Sequence, residues 1–136
     1  MKRRTCRTDG RSPTRRLAGI ANTTRGTLLA TEAAFALSRG ARRRGLAGRV
    51  AMDAGEALIL PRCRQVHSFG MLFDIDVLFL DRNGAVVRAC PCMSPRRVSP
   101  VAWGASTAVE LPSGTIAATR TRARDRVEFT LRGRDR

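Results

Sequence analysis

The chain has 136 residues, 43% of them hydrophobic and 4% aromatic with no tyrosine, and a formal net charge of +15. This fits one globular domain whose core is built from Leu, Val, Ile, Ala and Phe. No run reaches the roughly 18–20 apolar residues of a membrane span. The apolar stretch Leu17–Ala21 behind the basic N-terminus is too short for a signal-peptide core. A chain without a membrane span and with a cytoplasmic location is therefore expected.

All the basic residues except Lys2 are arginine, and they concentrate at the ends, residues 1–25 and 120–136. The body between them is only mildly basic. Arg-rich tails favour polyanionic surfaces through non-specific electrostatics, while the plainer reading is a solvated leader. The cysteines, Cys6, Cys63, Cys90 and Cys92, are sparse for a disulfide scaffold, so reduced thiols are expected. Cys63, His67, Cys90 and Cys92 lack the close knuckle pairs of a zinc site. Neither a metal nor a cofactor is expected.

Residues 1–24 have no hydrophobic periodicity and read as a disordered basic segment. The domain is placed at 25–132, followed by a basic tail at 133–136. Gly26–Ala36 reads as a first strand. Ser38 caps a short helix over Arg39–Arg44, which Gly45 closes. Met52–Gly55 is a turn and Glu56–Leu60 a strand ended by Pro61. Cys63–Phe69 is another strand, with a bend at Gly70.

The central run, Phe73–Leu80, is a strand apolar on both faces. Phe73, Ile75, Val77 and Phe79 point one way, and Asp74, Asp76, Leu78 and Leu80 the other. Such a strand belongs in the middle of a packed structure. Asn83-Gly84 signals a hairpin returning along Ala85–Cys90. A two-residue loop puts Arg88 on the Phe79 face, whereas a three-residue loop with a glycine bulge lets Arg88 meet Asp76. The cost of burying Asp76 alone favours the second arrangement or a backbone partner. Pro91–Pro100 is an irregular connection, Ser106–Leu111 a strand, Pro112–Gly114 a turn, and Arg126–Leu131 a closing strand. The fold class is mainly β, a small sandwich or barrel-like domain with one or two short helices.

Several segments in order carry a family resemblance. They are Arg44–Arg49, Glu56–Leu60, Val66–Met71, Ile75–Asp81, Asn83–Val87, Pro95–Arg97 and Val109–Gly114. Over roughly residues 27–130 the chain resembles domain of unknown function 192, also called uncharacterised protein family 0127. The resemblance implies a compact, sandwich-like, mainly β domain with short helices and no established activity. It also implies an N-terminal export or lipid-anchor signal in many relatives, which this chain does not show. Asp74 stands where the pattern usually has proline, and Arg124-Asp125 replaces its Gly-Asp turn.

The chain's one histidine, His67, lies close in sequence to Asp76, and a His–Asp pair can serve as a general base. Ser68 is its neighbour, however, and adjacent strand residues face opposite ways. Asp74 and Asp76 would share a face about 7 Å apart, a spacing that is weak evidence for glycoside hydrolysis. Arg96 and Arg97, with Arg88, could hold a small carboxylate or phosphate ligand. The preferred reading is a non-enzymatic ligand- or partner-binding β domain with a polar site of His67, Asp76, Arg88, Arg96 and Arg97. The alternative is accessory nucleic-acid binding through the Arg-rich termini. A hydrolase using His67 and Asp76 comes third.

Overall fold

The computed structural model describes residues 14–36, 46 and 48–131. The helix expected at Arg39–Arg44 lies outside them. In order the elements are β1 (Thr14–Asn22), β2 (Thr27–Ala30), β3 (Glu32–Ala36), β4 (Glu56–Pro61) and β5 (Ile75–Leu80), then β6 (Val86–Met93), β7 (Thr107–Pro112), α1 (Thr115–Thr119) and β8 (Val127–Leu131). The fold is mainly β, as expected. Among the described residues no helix is long and apolar enough to cross a membrane.

Hydrogen bonds join the strands in the order β2-β1-β3-β4-β7-β5-β6, with β8 on the other side of β1. The two ends of this sheet approach through a single bridge, Ala85↔Arg126, without closing a barrel. The curvature creates two cores. An inner core gathers Ile20, Ile59, Leu78, Leu80, Leu111 and Val127 from strands across the whole sheet. An outer core gathers Ile75, Val77, Phe79 and Ala108 under residues of the long loops, among them Val66 and Met71. β5 supplies both, because alternate side chains face opposite sides and every one of its residues is buried.

Three sequence expectations change here. The disordered segment ending before Arg25 contains β1, which pairs with β2, β3 and β8. The single strand over Gly26–Ala36 is two, separated at Thr31: β2 pairs the end of β1 and β3 its beginning. β6 also runs on through Pro91 to Met93, where the sequence suggested irregular chain. Proline is tolerated there because β6 pairs only β5, leaving its other edge open.

The hairpin register combines both loop models. Asp81 N donates to Ala85 O at 2.9 Å, which closes a three-residue loop. A bulge then intervenes, and Arg88 comes to lie opposite Phe79. Gly84 has φ 87, and a Cβ there would meet Val127 O at 2.5 Å, so the turn requires glycine.

At the other end, Asn22 is fully buried. Its Nδ2 donates to Thr121 Oγ1 at 3.0 Å and to Asp125 Oδ2 at 2.9 Å. The same Asp125 oxygen accepts Arg25 Nε and Arg122 N, each at 3.1 Å. The turn at Arg124-Asp125 forms despite its missing glycine, with Arg124 in the left-handed region at φ 78. A left-handed non-glycine residue costs about 1–2 kcal/mol, and glycine's own entropy returns part of that. Arg124→Gly is therefore expected to stabilise the protein by about 0.5–1 kcal/mol in urea unfolding.

Burial alone would raise the Asp125 carboxyl, but the hydrogen bonds from Asn22, Arg25 and the Arg122 backbone outweigh it and hold the group below its ordinary value. A carboxyl depressed in the folded state stabilises above the unfolded value, about pH 4, and that stability is lost as pH falls through the folded value. Unfolding midpoints should therefore drop on acidification below about pH 4. The drop should be shallower in Asp125→Asn, and an equal slope in the variant would remove Asp125 from this role.

Candidate functional site

The outer core is closed by a strap of two irregular segments, residues 62–69 and 97–106, running antiparallel. Arg62 N donates to Ser106 O at 2.7 Å and Ala102 N to Arg64 O at 2.8 Å. Ser99 N donates to Val66 O, and Ser68 N to Arg97 O, both at 2.9 Å. The expected strand at Cys63–Phe69 is thus reduced to one bridge, His67↔Val98. Uneven spacing of these bonds prevents a continuous ladder. Inward-facing Cys63, Val66, Ala102 and Ala105 belong to the outer core. Outward, Arg64, His67, Phe69, Val98 and Trp103 are exposed.

Ser68 fixes the arginines beside this strap. It is fully buried. Its hydroxyl donates to Ser94 O at 2.6 Å and accepts Arg97 N at 2.9 Å. Arg96 N also donates to Ser68 O at 3.3 Å. His67, Arg96 and Arg97 are therefore brought to one exposed region. The His67 ring lies 5.2 Å from that of Phe69, and its Nδ1 accepts the Phe69 N–H at 3.3 Å.

Asp76 is elsewhere. It shares the inner face with Leu78, is fully buried, and accepts Cys92 N at 2.8 Å and Ile116 N at 2.7 Å. The sheet separates it from the strap, so sequence proximity to His67 does not become a contact. Arg88 is exposed opposite Phe79, roughly 17 Å along β6 from Met93 by strand rise. Of the two partners expected for Asp76, Arg88 does not pair with it, and backbone N–H groups take the carboxylate. Asp74 is exposed just before β5.

Sequence reasoning overlooked the apolar part of this face. Trp103 is 72% exposed, Val98 54% and Phe69 53%. The Arg64 guanidinium carbon lies 5.6 Å from the centroid of the Trp103 ring. The sole tryptophan, followed by Gly104, was the available signal. The thiols offer no comparable arrangement. Cys63 donates to Gln65 O. Burial pushes the Cys90 thiol up, with Arg88 acting weakly the other way. Among the described residues no three His, Cys, Asp or Glu side chains cluster in metal-binding geometry. A shallow cleft of about 400 Å³ between Leu28, Gly55 and Thr115 is lined by apolar and hydroxyl residues without an ionisable group.

Comparison with known proteins gives a family and a fold. The model of the family DUF192, described as "Uncharacterized ACR", matches residues 20–129. No curated protein matches significantly. A crystal structure of a putative transcription regulator from Sinorhizobium meliloti is 17% identical, with a TM-score of 0.73, covering 85% of this chain and 93% of that one. A protein of unknown function from Novosphingobium aromaticivorans is 18% identical, with a TM-score of 0.68, covering 86% and 84%. At these identities the likeness concerns the fold alone.

Removing the Ser68 hydroxyl would leave Arg97 N and Ser94 O without their partner. Ser68→Ala is expected to cost about 1–3 kcal/mol and to speed hydrogen exchange at the Arg97 amide. Unchanged exchange would show that Ser68 does not hold the loop.

Proposed function

Because the chain belongs to DUF192, a family described only as uncharacterized, we propose from its geometry that it is a non-enzymatic binding domain. The strap, with His67, Arg96 and Arg97 beside Phe69 and Val98, docks an anionic partner. One observation carries this reading. Buried Ser68 holds the backbone of both arginine and histidine segments while their side chains remain exposed. A group fixed at its backbone and free at its head is organised for contact, and an apolar patch rimmed by arginine suits a partner surface.

Hydrolysis has less support. Both Asp76 oxygens are committed to backbone N–H groups on the inner face. His67 lies on the outer strap against Phe69, so a positioned base and its orienting acid are lacking.

The test must separate this face from net charge, since the termini are also rich in arginine. On immobilised heparin, full-length Arg96→Gln/Arg97→Gln is expected to elute at clearly lower salt than the unmodified chain. The shift should exceed that of Arg120→Gln/Arg122→Gln, which removes equal charge beyond α1. Equal shifts would eliminate a dedicated docking face.

A further inference from the structure

We propose that the partner of this face is a single strand of nucleic acid. This rests on the docking face just described and names the chemistry that fits it. Four arginines follow the strap: Arg62 beside Ser106, Arg64 beside Ala102, and Arg96 and Arg97 beside Ser68. All four are exposed. The ion pairs formed among the described residues, Arg25–Asp125 and Arg49–Glu56, use other arginines. From Arg62 to Ser68 the strap spans at most about 20 Å at strand rise. Charges strung along a line do not converge on one carboxylate or phosphate. They match a linear polyanion.

Rings interrupt this line of charge. Trp103 stands beside Arg64, and Phe69 beside His67, each ring supported by a neighbour and still largely exposed. Arg64 and His67 are about 10 Å apart by strand rise. Stacking platforms beside backbone-tracking guanidinium groups are the chemistry of single-strand binding. Reading a duplex requires an element that enters a groove. The strap instead lies flat, its inward side chains part of the outer core. α1 is five residues long and starts on the inner face at Asp76. An acidic peptide or an anionic bilayer would use the arginines equally well, but would gain less from ring faces placed along them.

Trp103 is the only tryptophan, so its fluorescence reports directly on the site. Titrating the full-length protein with a thymidylate oligonucleotide of about 15 nucleotides should quench that emission. Phe69→Ala should weaken binding about tenfold while leaving the salt slope unchanged, because stacking releases no counterion. Arg64→Gln should reduce the slope by about one. Both side chains are exposed, and unchanged unfolding midpoints would confirm intact folds. Quenching by polyglutamate or phosphatidylglycerol vesicles but not by the oligonucleotide would overturn the nucleic-acid assignment and leave the docking face standing. Oligonucleotide binding that neither quenches Trp103 nor depends on Phe69 would overturn it in favour of the termini. Failure of the Arg96/Arg97 heparin comparison would remove both readings.

Discussion

The carboxylate of Asp76 is the constraint around which the fold is arranged. It is fully buried near the start of β5, a strand paired on both edges. An unpaired carboxylate in such a place would cost several kcal/mol. Two backbone N–H groups offset that cost by giving each oxygen a donor. One comes from Cys92, where β6 adopts the left-handed φ of 53, and the other from Ile116 in the first turn of α1. A single side chain thus determines where β6 kinks and where the helix begins. Five residues cannot sustain a helix in isolation. α1 exists because Asp76 anchors its first turn and Ile116 enters the inner core.

The two apolar faces of β5 impose a second requirement, since each needs a cover. The inner face is covered by the sheet itself, curving until β8 and the β5–β6 turn touch through Gly84 and Val127. Among the described residues no second sheet lies on the outer face, which the strap covers. From the strap come Cys63, Val66, Ala102 and Ala105, and the larger Leu46 and Met71 complete the cover. The outward residues of the strap take no part in either core and touch chiefly one another, Arg64 over Trp103 and His67 against Phe69. An exposed tryptophan in that position contributes little to the core and is available for contact.

Legibility in the sequence followed the locality of the determinants. β4, the central strand, the Asn83-Gly84 turn, β7 and β8 could be read because period-two patterns and turn residues lie within each segment. β1 could not. Its decisive residue is Asn22, whose burial is satisfied by Thr121 and Asp125 about a hundred positions away. A polar residue with a distant partner looks like a solvated one. α1 was missed for a related reason, its anchor being Asp76 on another strand. The candidate site was half legible. The segments carrying His67 and Arg96–Arg97 are joined through Ser68, whereas Asp76 lies on the inner face and Arg88 further along β6. Alternation along the chain could place His67 and Asp76 near each other in number but could not place the sheet between them.

Backbone conformation bears on what the strap is for. Arg62 and Arg96 both take the left-handed region, at φ 53 and 64. Each such arginine costs about 1–2 kcal/mol relative to an unstrained residue, and glycine would hold the same backbone more cheaply. Arg96 keeps its conformation because its N–H is held by Ser68 O, and surroundings that over-determine a strained residue allow it to persist. The hydrogen bond is a backbone one, so it would survive with glycine in place. What arginine adds at these positions is only the exposed guanidinium. Arg120 and Arg124 take the same conformation away from the strap, so backbone strain by itself marks no surface; the proposed docking face rests instead on where the exposed heads of Arg62 and Arg96 stand, along the strap.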